Sequence, residues 1–152
     1  MLKLVKCEFL KLKRKKFIPL VILAAFLFPI PLTYLMTTPS MMERYVDKAD
    51  AFDGLFNMVL GYGIQFLLPC LIGVIAAMLF FMERDNDTFK NLRTIPVTST
   101  QMVLAKILVL FFFGIVFCVA STIVTILCGF GTLEVYGIWY KLFLAVETGI
   151  FI

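Results

Sequence analysis

The sequence contains no histidine, and only 16% of its 152 residues are charged. Without histidine the chain lacks the commonest metal ligand and the usual general base near neutral pH. No G-x-x-x-x-G-K-[ST] segment occurs, which excludes nucleotide binding through a P-loop and ATP hydrolysis by this chain alone. The four cysteines (Cys7, Cys70, Cys118 and Cys128) show no C-x-x-C spacing. Three stand in apolar runs and Cys7 stands in a basic stretch, so they read as reduced packing residues rather than a disulfide framework. No catalytic residue, cofactor or metal is expected in the chain.

Apolar residues make up 62% of the sequence, including 17 phenylalanines, and the mean hydropathy is +1.01. Soluble domains carry about 45–50% apolar residues. A globule of this length leaves roughly 30% of its unfolded surface in water, so it could not hide so much apolar surface. Lipid is the solvent that removes the conflict. A soluble enzyme, a nucleic-acid-binding module and a secreted disulfide scaffold are excluded on this ground.

Charge is distributed in blocks. Residues 1–16 hold Lys3, Lys6, Lys11, Lys13, Arg14, Lys15 and Lys16 against Glu8 alone. Residues 37–54 are acidic, with Glu43, Asp47, Asp50 and Asp53 against Arg44 and Lys48. Residues 83–101 are neutral but carry Arg84, Lys90 and Arg93. Uncharged runs lie between these blocks, and 17–36 and 55–82 are both long enough to cross a hydrocarbon core about 30 Å thick. The longer of the two either tilts or begins above the membrane. Residues 102–130 carry only Lys106, near enough to the start to snorkel to the interface. A fourth run, 138–152, opens with Trp139 and Tyr140 in the position of an interfacial aromatic anchor.

The excess of Lys and Arg on cytoplasmic segments then puts the N-terminus and 83–101 inside, and 37–54 and 131–137 outside. Each assignment alternates as it must. The expected fold class is all-α, a polytopic transmembrane helical bundle in the plasma membrane. The fourth run, rising only about 22 Å as helix, suggests a piece of a longer protein. The first run is too long for a cleaved signal peptide, and no A-x-A-like site follows it. Before it, Leu2, Val5, Phe9 and Leu12 recur at helical spacing among the lysines. That pattern reads as a basic amphipathic helix over 1–16 on the inner leaflet, or as a solvated tail that only sets topology.

The segment 83–101 is organised. Phe89 and Leu92 would share a helix face, with Lys90 and Arg93 beside it. Asp85 and Asp87 stand upstream, where a helix start favours carboxylates. Pro96 stops this element, because the residue before proline avoids the α region. Thr98 and Gln101 form a capping-box pattern that opens the next apolar helix. An apolar face held at a membrane surface needs a cover.

These residues resemble a family. Glu83, Asp87-Thr88, Leu92, Pro96-Val97 and Thr98-Ser99 are similar to the E-R-E-x-G-T-x-x-x-L-x-x-x-P-V-S stretch of type-2 ATP-binding-cassette transporter permeases. Asn86-Asp87 stand where that family often has Gly, and Asn and Asp are the next best residues for a turn. Glu8-Phe9-Leu10-Lys11-Leu12-Lys13-Arg14 resembles the E-x-x-K-L-K-R opening of the lantibiotic-immunity, bacitracin-resistance-like branch. The resemblance implies a coupling helix in 83–101, with Glu83, Thr88, Phe89, Leu92, Arg93 and Pro96 docking on a separate ATPase subunit. It also implies a second permease chain, identical or not, and a peptide substrate expelled from the bilayer. Nucleic acid is not among the partners. Family permeases have six spans, so 1–152 would correspond to the first three and the start of the fourth. The rival readings are a small stand-alone membrane protein without ATPase (an immunity peptide, anchor or holin-like assembly) and an ion or lipid exporter of the same transporter family.

Two polar residues fall inside the spans. Gln65 could line a substrate path or act as interhelical glue. Glu147 is an intramembrane carboxylate, functional by default unless its span begins later and leaves it at the interface. Pro19, Pro29, Pro31 and Pro69 are expected to kink their helices. Gly73 and Ala77 form a small-xxx-small face for close helix packing, within the chain or across a dimer.

Overall fold

Helix is the secondary structure of the described residues, as a backbone immersed in lipid requires, since each N–H and C=O must be bonded within its own segment. The computed structural model describes residues 2–14, 19, 23–25, 27–85, 99–131 and 133–151. In chain order the elements are α1 (Leu2–Arg14), α2 (Pro29–Met36), α3 (Pro39–Met42), α4 (Lys48–Met58), a π-helical segment (Val59–Leu67), α5 (Leu68–Asp85), α6 (Ser99–Gly129) and α7 (Ile138–Phe151). Among the described residues, two helices are long and apolar enough to cross a membrane: Lys48–Phe81, with 34 residues, and Thr100–Gly129, with 30.

The first of these starts within the acidic stretch. Asp47 is extended, with φ −133° and ψ 159°, and Asp50 sits in the first turn, where the helix dipole favours a carboxylate. The acidic region is therefore part helix. Further along, the hydrogen bonding changes register, and the Leu68 N–H reaches back five residues to the Gly63 carbonyl. Pro69 supplies the cause. It has no N–H for the carbonyl four residues back, that of Gln65, and its ring would clash with that carbonyl in an α-helix. Widening the preceding turns relieves the clash, and α-geometry resumes from Leu68.

Helix α6 is inverted relative to a soluble helix. Its exposed positions include Val103, Leu104, Ile107, Leu108, Phe111, Phe112, Ile123 and Leu127. Its buried face advances by fours through Ala105, Val109, Phe113, Phe117, Ser121 and Thr125, with Cys118 and Thr122 alongside. The inward side is smaller and more polar than the outward side, as expected where lipid is the solvent and helices associate by close packing. Thr122 and Thr125 donate to the Cys118 and Ser121 carbonyls of the preceding turn, at 2.8 and 2.7 Å, so their hydroxyls are satisfied in the helix. Helix α7 packs closely on α6 at Gly149, where any side chain would run into the Cys118 sulfur.

Two apolar cores hold the bundle. The larger joins Phe56, Leu60, Ile64, Leu68, Ile75 and Leu79 of the long helix to Val109, Phe113 and Phe117 of α6, Ala145 of α7 and Leu12 of α1. The smaller closes one end of the bundle with Met36, Ala51, Phe52, Leu55, Ile126 and Leu133. The apolar side of α1 is covered by protein: Phe9 stacks on Phe112 and Phe113, with ring centroids 5.2 and 5.7 Å apart. Lys106 differs from expectation. Instead of snorkelling outward it is buried at 3% exposure, its ammonium 4.3 Å from the centroid of the Phe80 ring. The ring's negative face offers a cation an attraction that the lipid side does not. Gly73 and Ala77 are exposed and nothing meets Gly73, so among the described residues that small-residue face is unused within the chain.

Candidate functional site

Helix α7 carries two polar features on neighbouring faces. Its start is set by Gly137, whose φ of +64° lies in the left-handed region that a side chain disfavours. The Lys141 N–H then bonds the Gly137 carbonyl at 3.0 Å. This turn aims Lys141 inward, where its side chain is only 6% exposed. Its ammonium lies 2.6 Å from Asp53 Oδ1, an ion pair rather than an aligned hydrogen bond. It also sits 4.0 Å from the Phe52 ring centroid, 4.1 Å from that of Tyr136 and 5.7 Å from that of Phe56. The second carboxylate oxygen of Asp53 accepts a hydrogen bond from the Tyr136 hydroxyl. A lysine surrounded by one carboxylate and three rings is well compensated for leaving water.

Asp53 lies in the first turns of the Lys48–Phe81 helix, ahead of the uncharged run that begins at Leu55, and Tyr136 lies just before α7. Partial burial acts to raise the Asp53 pKa, but the contacts with Lys141 and Tyr136 outweigh it and hold the carboxyl below its ordinary 3.8. Tyr136 is pushed above its ordinary 10.0, first because its O–H is held by Asp53 and then by slight desolvation and the nearby negative charge.

The second feature is a cleft. Leu144, Glu147, Thr148 and Phe151 recur at i, i+3, i+4 and i+7, which puts them on one helical face. Together with Gln65 from the π segment they line an open cleft of about 580 Å³. The two polar residues that the sequence singled out within its apolar runs thus line one cleft. Both are exposed among the described residues. Thr148 donates its hydroxyl to the Leu144 carbonyl at 2.7 Å, leaving the oxygen lone pairs as acceptors. The polar atoms offered are a carboxylate, a carboxamide and a hydroxyl oxygen, beside the Phe151 ring.

The expected ATPase-docking residues divide differently. Glu83 belongs to α5 by its backbone. Thr88, Phe89, Leu92, Arg93 and Pro96 lie outside the described residues. Asp53 and Tyr136 were not singled out as site residues in the sequence. The available signal was that Asp53 is the last acid before the second span and Lys141 the first base in the fourth. Charge alternation brings those two positions to the same end of the bundle.

Among the described residues the chain is all-α, and its two long helices are sheathed in Phe, Leu and Ile, as in an integral membrane protein. Residues 4–152 match the ABC-2 family transporter protein, and the chain belongs to that family. It is therefore a membrane permease component of an ATP-binding-cassette transporter, and membership implies an ATP-binding-cassette ATPase as partner. No curated protein and no solved structure matches the chain significantly.

Proposed function

We propose that the chain is the permease subunit of an exporter that expels membrane-active antimicrobial peptides of the lantibiotic or bacitracin type. Family membership over residues 4–152 is the observation that carries this reading. The N-terminal Glu8-Phe9-Leu10-Lys11-Leu12-Lys13-Arg14 supports the choice of cargo, and the pattern around Phe89 and Leu92 supports the choice of contact with the ATPase. In this reading the chain sits in the plasma membrane with its N-terminus in the cytoplasm. The Lys141–Asp53–Tyr136 clasp then faces outside, and 83–101 meets the ATPase inside. Two permease chains, identical or different, pair above two ATPase sites. Closure of the ATPases on ATP pushes the 83–101 segments, and the spans release cargo outward. Force passes through that segment only if it binds the ATPase with different free energy in the two states.

The test replaces the apolar contact and leaves the spans alone. Phe89→Asp combined with Leu92→Asp should abolish co-purification of the ATPase and the survival of cells challenged with a lantibiotic, while membrane insertion stays normal. Normal ATPase recovery from the double variant would refute the docking assignment. Lost recovery with undiminished survival would refute the exporter assignment.

A further inference from the structure

We propose that the π segment Val59–Leu67 is a joint in the second span. On it the cytoplasmic half, α5, moves while the outer half, α4, stays clasped to α7. The inference rests on the exporter reading for the source of the movement, the ATPase contact at 83–101. Its grounds are a difference in how the two halves are held.

The outer half is clamped. Lys141 reaches across from α7, and three of its four partners belong to α4: Asp53 at 2.6 Å and the Phe52 and Phe56 rings at 4.0 and 5.7 Å. Moving α4 away from α7 would strip this buried lysine of its counter-charge and two rings together. A buried charge robbed of its partner is strongly destabilising, so the two helices move as one body. Phe52 is also wedged against α6, where a Cβ added at Gly129 would stand 2.8 Å from the ring. Met36, Ala51, Leu55, Ile126 and Leu133 complete the core at this end.

The cytoplasmic half is held differently. Its Leu68, Ile75 and Leu79 share the larger core with Val109 and Phe113 of α6. Apolar packing is non-directional, and helices packed in this way accommodate small sliding movements. Phe80 lies 4.3 Å from the Lys106 ammonium, which ties α5 to the first turns of α6. Those helix ends flank 83–101, so a push on that segment reaches them as a pair.

Between the two halves the winding is weak. The π segment runs for nine residues, whereas π geometry is ordinarily confined to a single turn and is frequent at functional sites. Pro69 withholds the N–H that the Gln65 carbonyl would meet in an α-helix. Gly61 and Gly63 lie inside the segment, and glycine is a poor helix former. At Gly63 the Phe28 ring fills the place of a side chain, 2.8 Å from where a Cβ would stand. The order along the span is thus clamp, weak winding and lever. With 18 residues, α5 is a lever of about 27 Å, so a bend of about 10° at the joint displaces its far end by about 5 Å.

The test measures backbone amide exchange, by deuterium uptake and mass spectrometry, in the full permease purified with its ATPase in detergent. The nucleotide-free complex is compared with the complex trapped by ATP and vanadate. Trapping is expected to change exchange by about ten-fold or more in 59–67, and by less than about two-fold in 48–55 and 138–145. In Asp53→Asn, which loosens the clasp, the change should spread into 48–55. The comparison within the parent protein needs no variant and decides the matter if Asp53→Asn does not fold. Equal changes in 48–55 and 59–67 of the parent would show the span moving whole and overturn the proposal. Unchanged exchange in 59–67 overturns it too, as does a change that stays confined to 59–67 in folded Asp53→Asn. A purified chain without ATPase refutes the exporter reading and the joint with it, whereas any of the other contrary results with the ATPase present refutes the joint alone.

Discussion

Lys141 is the residue whose surroundings depart furthest from those its sequence neighbours suggest. Within an apolar run it reads as a charge near the start of a span, yet it is buried between Asp53 and the Phe52, Tyr136 and Phe56 rings. Asp53→Asn keeps the shape and leaves the ammonium buried without its counter-charge. A fully buried pair broken in this way costs about 3–5 kcal/mol, and the Asp53 side chain is 43% exposed, so a loss of about 1–3 kcal/mol is expected. The double variant Asp53→Asn with Lys141→Met should lose less than the sum of the two single changes, because the orphaned charge goes with its partner. Thermal unfolding in detergent checks both statements. The sign of the pH dependence follows from the two shifts. Asp53 has a lowered folded pKa, so its contribution is present above the unfolded value near 3.8 and disappears as pH falls through the folded value below it. Tyr136 has a raised one, so its contribution is present below 10.0 and disappears as pH rises through the folded value above it. The difference in melting temperature between parent and Asp53→Asn should therefore be flat from about pH 5 to 9 and vanish in stronger acid.

At the scale of elements, the π segment is the consequential departure from regular helix. Pro69 identifies a kink in the sequence, but its form depends on what the Gln65 carbonyl would meet, and that is a matter of three-dimensional register. Pro69→Ala restores a donor four residues after Gln65 and removes the ring, so the segment should return to α-geometry. One residue of altered register turns every earlier side chain by about 100°. Gln65 should then leave the cleft. Spin labels placed at Gln65→Cys and Glu147→Cys would report this as a lengthened distance when Pro69→Ala is added; an unchanged distance would show that packing, not Pro69, sets the π register. The same reasoning shows what was legible beforehand. Span order followed from charge blocks, because apolar runs between alternating flanks leave few arrangements. Gln65 and Glu147 could each be singled out as costly in lipid, but not as neighbours, since their meeting depends on how α7 packs at Gly149. Lys106 was misplaced because the expectation counted distance to the interface and omitted Phe80, which comes from another helix.

For the whole molecule, the distribution of polarity separates a membrane role from a soluble one more clearly than any single motif. The exposed surfaces of the long helices are apolar, and of the polar groups inside, Thr122 and Thr125 are back-bonded, Lys141 is ion-paired and Lys106 is set against a ring. The Ser121 hydroxyl is buried without a hydrogen-bond partner. Apart from the cleft at Gln65 and Glu147, the described spans show little chosen chemistry. That arrangement suits a permease whose driving force is supplied by another subunit. It also explains why cargo was the least legible property, since greasy helices carry few residues that recognise anything. The claim on which the account turns is that this chain works on a separate ATPase. Purification of the tagged native chain in mild detergent, with mass spectrometry of its companions, tests this most directly. The account predicts a stoichiometric P-loop ATPase in the complex; recovery of the chain alone, or only with copies of itself, would contradict it.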